Sequence, residues 1–391
     1  RFLMACLFHG LLNAPHPAHT MLAVFALVAI SSLVEGKINE YKEMPGLVKS
    51  NVSSPHPKTY VRAESMPKDF FWGDVKGKSF LTKNLNQHIP RYCGSCWAFA
   101  AVSCLQDRIK IAQHATGGPE ISLSIQYILN CGSEEAGSCN GGSQFGAYWF
   151  ISKRGYIPFE TCQPYQACSA DTCGEDFKCT DSNICRTCIG ADNGGDLSGS
   201  KCFGLSDFPK ATVKEYGIVR GEADMMAEIY ARGPIACTLA SDPIEHYKGG
   251  IFNKSVGAWS DHVMSVVGWG EEDGLKYWIA RNSWGEYWGE LGFLRVARGR
   301  NLLNMEEECA WAVPGTWTHH NFPCQSNAGN CAIKHKKYQD PSVTKKPFGA
   351  IHSEGQQNCK AEESLDLEAR GGVGDEVNAE GAPSPPQAFM M

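Results

Sequence analysis

Residues 87–99 read QHIPRYCGSCWAF and decide the fold, because they mark the start of a long predicted helix. From Ser95 onward, apolar residues recur three or four positions apart, which is typical of a helix with one buried face. These positions are Trp97, Ala101, Cys104, Leu105 and Ile109. The glycines and proline at 117–119 are expected to end the helix. Cys96 would then lie in the first turn, where free N–H groups favour an anion, so its thiol is expected to ionise readily.

A thiolate at Cys96 needs an imidazole partner that carries positive charge and later protonates a leaving amine. His262 fits this role because it opens an apolar, strand-like run. The side-chain carbonyl of Asn282 can orient the imidazole, and Trp284 can shield that hydrogen bond from water. Gln87 supplies an amide donor that, with the backbone N–H of Cys96, would form an oxyanion hole. The sequence therefore predicts nucleophilic catalysis by a cysteine.

Composition excludes several classes of protein. The chain has 391 residues, of which 43% are hydrophobic and 20% charged, so global disorder is excluded. The formal net charge of -6 does not suggest a nucleic-acid partner. Residues 361–391 hold seven acids and one arginine, so the acidic tail carries all of this net charge and the body is neutral.

The cysteine content indicates an oxidising compartment. Eighteen cysteines favour disulfides, because the two CxxC pairs lie too far apart in sequence for a typical zinc site, and no metal is predicted. Residues 21–34 form an apolar run of signal-peptide length, too short to span a bilayer, although a buried strand or helix is the alternative. We therefore expect the secretory pathway, with the lysosome or the extracellular space as destination, and no membrane span.

The remaining pattern predicts an α+β protein with its helices first and its strands later. After a cysteine-rich stretch at 131–205, a second helix is expected at 225–231. Short apolar runs then predict an antiparallel, barrel-like sheet, with strands at 235–239, 262–269, 277–281 and 292–297. We predict that residues 1–36 are upstream residues and a signal peptide and that residues 37–65 are a short pro-segment. Residues 66–317 are predicted to form a catalytic domain, with a helical part at 75–205 and a strand-rich part at 206–317. Residues 318–391 are predicted to be a low-complexity acidic extension.

In chain order, Gln87, CGSCW, CNGG at 139–142, Asp261-His262 and NSWG at 282–285 resemble the motifs of the papain family of cysteine proteases. The resemblance covers roughly residues 66–317. It implies a helical lobe and an antiparallel β-barrel-like lobe, an active-site cleft between them, a thioester acyl-enzyme, and no metal or organic cofactor. It also implies that Gly141 and Gly142 pair with a substrate strand, although a simple turn is the alternative.

Five residues separate Gln87 from Cys93, three more than in most family members, and the string NQHIPxYCGSCWA resembles one carboxypeptidase subgroup. That resemblance implies removal of single C-terminal residues from peptides and proteins by a monomer, with His88 pairing with the substrate's free carboxylate. The alternatives are a solvated His88 in an endopeptidase or dipeptidyl carboxypeptidase, or a catalytically silent adhesion or binding protein. Members of that subgroup cap their thiol with a pro-segment cysteine, but residues 37–92 contain none, so the means of latency is left open.

The resemblance also implies disulfides Cys93–Cys139 and Cys237–Cys309. Candidate pairs in the cysteine-rich stretch are Cys131–Cys173, Cys162–Cys185 and Cys188–Cys202, which leave Cys168–Cys179 as an additional pair. Cys104 is expected to be a small buried residue. Asn51 and Asn253 lie in glycosylation sequons.

Overall fold

The structure is a computed structural model that describes residues 39–113, 120–189, 201–318 and 376–378. The predicted signal peptide, the predicted helix stop at 117–119 and nearly all of the acidic extension lie outside these residues. Within them, no helix has both the length and the apolar character needed to cross a membrane.

Six α-helices occur in the described part of the chain. They are α1 (Cys96–Gln113), α2 (Ile125–Cys131), α3 (Gln144–Arg154), α4 (Ala170–Cys173), α5 (Asp181–Ile184) and α6 (Glu222–Arg232). The predicted helices after Ser95 and at 225–231 are confirmed as α1 and α6. Helices α2 and α3 were not predicted; side-chain caps from Ser124 and Ser143 begin them. The stretch after Cys131 is therefore more regular than its glycine and cysteine content indicates.

Most strands belong to one ten-stranded sheet. Its strands are β1 (Phe70–Phe71), β4 (Ile157–Pro158), β7 (Lys210–Val219), β8 (Ile235–Leu239), β9 (Ile251–Phe252), β10 (His262–Glu272), β11 (Leu275–Arg281), β12 (Phe293–Ala297), β13 (Cys309–Thr318) and β14 (Glu376–Asn378). Their order in the sheet is β4-β7-β13-β8-β10-β11-β12-β9, with β1 paired to β10 and β14 paired to β13. All pairs are antiparallel except β9 with β12. Two small hairpins pair β2 (Gly137–Ser138) with β3 (Gly141–Gly142), and β5 (Arg186–Ile189) with β6 (Lys201–Gly204).

Two hydrophobic cores give the molecule its two lobes. One core packs α1, α2 and α3 together, with large buried side chains that include Trp97, Tyr148 and Phe150. The other lies against the sheet and includes Trp72, Trp269 and Trp278. This is the predicted α+β, two-lobed architecture, although β1, β4 and β14 join the sheet from outside the predicted strand-rich range.

Six disulfides are present among the described residues, and four have the expected partners. These are Cys93–Cys139, Cys162–Cys185, Cys188–Cys202 and Cys237–Cys309. The other two expectations, Cys131–Cys173 and Cys168–Cys179, are wrong, since the structure pairs Cys131 with Cys179 and Cys168 with Cys173.

Local geometry explains the exchange. The single turn of α4 brings Cys168 and Cys173 to a Cα–Cα distance of 5.6 Å. Asn130, at the end of α2, donates to the carbonyl of Asn183 in α5, which places the neighbouring Cys179 beside Cys131. The alternative partners were indistinguishable in sequence because both lie in the same short cysteine-rich stretch.

Candidate active site

The first turn of α1 holds Cys96 in a fixed position. The Cys93–Cys139 disulfide and a hydrogen bond from the Gly94 N–H to the Cys139 carbonyl (2.7 Å) tie this turn to the neighbouring loop. A Cβ on Gly94 would lie 2.9 Å from that carbonyl oxygen, so glycine is required by the close approach. Trp97 Nε1 donates to the Gly94 carbonyl at 3.1 Å. The Cys96 thiol is thereby set at the helix N-terminus, as predicted.

Strand pairing brings His262 and Asn282 together. His262 is the first residue of β10, Asn282 directly follows β11, and the two strands are antiparallel neighbours. The His262 Nε2 and Asn282 Oδ1 atoms are 2.8 Å apart. The Trp284 ring lies 4.9 Å from the imidazole, tilted by 38°. The imidazole is therefore oriented by an amide and covered by an indole.

Gln87 is buried and held by a side chain that the sequence did not single out. Ser283 Oγ donates to Gln87 Oε1 at 2.7 Å, which directs Nε2 into the site. The hydroxyl of Tyr165 donates to the Gln87 carbonyl at 2.7 Å. Ser283 lies inside the NSWG motif, so its position next to Asn282 was a usable signal, whereas Tyr165 comes from the cysteine-rich stretch and carried none.

The carboxylate of Glu40 also lies in the site, and no motif indicated it. One carboxylate oxygen of Glu40, the Sγ of Cys96 and one ring nitrogen of His262 all lie within 4.8 Å of one another, and all three residues are buried. Gln87 Nε2 donates to Glu40 Oε2 at 2.9 Å. The structure thus brings the nucleophile, the imidazole and the amide donor together around a carboxylate of the predicted pro-segment.

The expectation that Cys96 ionises readily is wrong for this state of the protein. Burial, followed by the negative charge of Glu40, raises the pKa of Cys96 well above its ordinary value. These effects outweigh the backbone hydrogen bonds of Val263 and Trp97, which act to lower it. Cys96 is therefore a thiol while Glu40 occupies the site.

His88 stands on the loop beside the site. Its ring stacks on Tyr92 with a centroid distance of 4.7 Å and an interplanar angle of 9°. The backbone N–H of His88 donates to Asn86 Oδ1, while its side-chain Nδ1 is buried without a hydrogen-bond partner among the described residues. Burial lowers the pKa of His88, against the opposing charge of Glu40, because a buried imidazole is less easily charged.

Gly141 and Gly142 form β3 at the edge of the site. A Cβ on Gly142 would lie 2.3 Å from the Ala136 carbonyl oxygen, so only glycine fits there. Besides its partner Gly137 in the hairpin, Gly142 pairs with Tyr41 in a parallel bridge. This edge accepts an extended chain, and in the structure that chain is the segment that contains Glu40.

Sequence comparison agrees with this geometry. The family described as papain family cysteine protease matches residues 66–313, more than half of the chain. The chain belongs to the papain family of cysteine proteases. It is 39% identical to the protein named Cathepsin Z of Onchocerca volvulus over 261 residues, which cover 64% of this chain and 79% of that protein. It is 29% identical to Cathepsin B-like cysteine proteinase 1 of Ostertagia ostertagi over 250 residues, covering 57% and 67%.

Solved structures of papain-like proteases share the fold. Digestive procathepsin L 3 from the larval midgut of Tenebrio molitor matches with a TM-score of 0.51 at 22% identity, covering 72% of this chain and 78% of that one. At this identity the match supports the two-lobed papain-like fold alone.

Proposed function

We propose that this papain-family protease is a cysteine carboxypeptidase that removes single C-terminal residues from peptides and proteins. The similarity to Cathepsin Z and the three-residue insertion between Gln87 and Cys93 support this specificity. The cleft residues supply a nucleophile, a base and an oxyanion donor. An endopeptidase, a dipeptidyl carboxypeptidase and a silent binding protein are the alternatives, and the experiment below separates them.

The reaction proceeds by acyl transfer through Cys96. Its Sγ attacks the scissile carbonyl carbon as its proton passes to His262 Nδ1, while Gln87 Nε2 and the Cys96 N–H stabilise the oxyanion. His262 then protonates the departing amino acid as the C–N bond breaks, which leaves a thioester. Water, deprotonated by His262, hydrolyses the thioester and releases the shortened peptide. Asn282 keeps the imidazole aligned through both steps.

One observation carries the specificity: the inserted loop already holds a carboxylate. The hydroxyl of Tyr92 donates to Glu40 Oε1 at 2.7 Å, and Tyr92 stacks on His88. The charge of Glu40 acts on His88 to raise its pKa. Tyr92 and His88 therefore stand beside the reacting groups, where His88 can meet the terminal carboxylate of a substrate, one residue beyond the carbonyl that Cys96 attacks.

The cross-linked fold supports a secretory route. Six disulfides among the described residues indicate an oxidising compartment, with the lysosome or the extracellular space as destinations. Asn51 and Asn253 are both exposed, as acceptor asparagines must be, and their glycosylation stays a prediction.

The decisive experiment compares the processed wild type with His88→Ala on one peptide bearing either a free C-terminal carboxylate or an amide. A charge-assisted hydrogen bond is typically worth about 1.5–3 kcal/mol, so its loss should lower kcat/KM about ten- to a hundredfold on the free acid alone. Because the pKa of His88 is lowered, this advantage should be present at acid pH and decline as the pH rises through that lowered value.

The matched control is His246→Ala, which alters an exposed histidine that is not one of the site residues and should leave both substrates unaffected. Equal cleavage of both substrates by the wild type would favour an endopeptidase, and release of two residues at a time would favour a dipeptidyl carboxypeptidase. No cleavage of either substrate after processing would favour the silent binding protein.

A further inference from the structure

Residues 39–42 lie across the cleft and are held from both sides. On one side, the Gly142 N–H donates to the Glu40 carbonyl at 3.0 Å, and the Lys42 N–H donates to the Gly142 carbonyl at 2.8 Å. On the other side, the N–H groups of Glu40 and Tyr41 both donate to the carbonyl of Asp261, each at 3.1 Å. The backbone is thus fixed in a position that points one side chain at the reactive groups.

The side chain so placed is Glu40, which is only 4% exposed. Its Oε2 accepts from Gln87 Nε2 at 2.9 Å and lies 3.2 Å from His262 Nδ1. Its Oε1 accepts from the hydroxyl of Tyr92 at 2.7 Å. Each of these partners, together with the nearby Cys96, belongs to the machinery of the proposed reaction.

We propose that Glu40 is an internal, non-covalent inhibitor of this protease whose carboxylate occupies the position of the reacting carbonyl and disarms the base. The proposal rests on the proposed function, in which Gln87 stabilises the oxyanion and His262 accepts the thiol proton. Hydrolysis leaves a carboxylate at this same place on the peptide product. Glu40 therefore resembles a bound product that remains attached to the enzyme.

The charges explain how the base is disarmed. His262 faces two acceptors, the Asn282 carbonyl at Nε2 and the Glu40 carboxylate at Nδ1. A ring nitrogen that donates a hydrogen to Glu40 has no lone pair free to take the proton of Cys96. Glu40 thus replaces the thiolate as the negative partner of His262, and the thiol stays protonated.

Acid alone should not release this inhibitor. The titratable groups that face Glu40 are His262, Tyr92, Cys96 and His88. Burial acts to raise the pKa of Glu40, but the hydrogen bond and charge of His262, with further hydrogen bonds, lower it to about 2. Because docking lowers the pKa of Glu40, its carboxylate stabilises the docked segment fully at any pH above the ordinary pKa of a glutamate. This stabilisation is lost only as the pH falls through about 2.

Contacts further along the segment keep it attached. Lys49 bridges Glu43 and Glu308, with both distances 2.6 Å. Beyond it, the backbone N–H groups of Ser53 and Ser54 donate to the buried carboxylate of Glu215 at 2.7 and 2.9 Å. Release therefore requires proteolytic removal of the segment rather than a change of pH.

The test measures alkylation of Cys96 by iodoacetamide in the full chain, located by tandem mass spectrometry. Glu40→Gln keeps the shape of the side chain but removes its negative charge, and Glu40→Ala removes the carboxylate altogether. Both should speed alkylation of Cys96 at least about tenfold over wild type. Glu64→Gln, at an exposed acid of the same segment that takes no part in these contacts, is the matched control and should react like wild type. The ratio of Glu40→Gln to wild type should persist from about pH 7 to about pH 5.

Cys104 reports on folding in the same experiment, because the core of the molecule covers it, with Ser265 Oγ 3.1 Å from its Sγ, rather than residues 39–42, and so it reacts only when the fold itself opens. If the Glu40 variants expose Cys104, a milder variant is used, since Tyr92→Phe removes only one donor to the Glu40 carboxylate. It should still speed the alkylation of Cys96, but by less than the roughly tenfold expected for the Glu40 variants. Wild-type rates in the folded Glu40 variants would overturn the proposal, as would a ratio that collapses to one at about pH 5. Slow alkylation of Cys96 after removal of residues 39–65 would instead contradict the proposed nucleophile.

Discussion

At the scale of single residues, the orientation of His262 depends on Asn282. Replacement of Asn282 by alanine leaves Nε2 without its acceptor at 2.8 Å, so the imidazole loses alignment in both steps of the reaction. We expect kcat to fall about ten- to a hundredfold, by analogy with the loss of a hydrogen bond to a charged group, with little change in KM. Steady-state kinetics on a free-ended peptide measures both constants.

The control for this prediction is Asn84→Ala, which removes an amide that donates to the Leu291 carbonyl at 2.8 Å and does not contact His262. It should leave kcat unaltered. A rise in KM without loss of kcat in Asn282→Ala would show that Asn282 binds substrate instead of orienting the imidazole.

At the scale of elements, one buried ion pair joins α1 to β11 and so links the two halves of the site. Arg281 donates to Asp107, whose other oxygen accepts from the N–H and hydroxyl of Thr82 at 2.7 and 2.8 Å. Burial raises the pKa of Asp107 despite these partners. Asp107→Ala would leave the guanidinium buried without its counter-charge, so we expect a loss of about 3–5 kcal/mol in the free energy of unfolding, measured by urea denaturation with disulfides intact.

An exposed ion pair provides the comparison. Glu175 and Lys178 lie 2.7 Å apart on the surface, with side chains 82% and 59% exposed. Glu175→Ala should change the free energy of unfolding by no more than about 1 kcal/mol. Equal losses in the two variants would mean that the buried pair contributes no more than a surface pair does.

At the scale of the whole molecule, the cross-links can be tested by a non-reducing peptide map. Cleavage after Tyr165 and Phe177 should release residues 166–177 as a free peptide with one internal disulfide, because Cys168 pairs with Cys173. The peptide containing Cys131 should instead be linked to Cys179. If residues 166–177 remain joined to the Cys131 peptide, the pairing expected from sequence is correct after all.

Local patterns predicted the helices and strands whose apolar residues follow a clear spacing or form a continuous run. The apolar spacing after Ser95 placed α1 with its first residue at Cys96, and the apolar run from 235 to 239 matched β8. Strand β7 was missed because two lysines and a glutamate interrupt its apolar positions, so that no continuous apolar run marks it. Helix α3 was missed because neighbouring cysteines and glycines concealed its caps.

The sequence by itself determined the family and the two-lobed α+β fold, and it predicted Cys96, His262, Asn282 and Gln87 as the catalytic residues, because these residues stand in motifs whose order and composition are specific. Only the tertiary structure decided what surrounds them. Glu40 lies 222 residues from His262 and in no motif, and nothing local directs it to the cleft. Its position follows from backbone pairing with Gly142 and Asp261, and the pKa of Cys96 follows from that position. Burial and long-range electrostatics depend on distances in space, which a pattern along the chain does not contain.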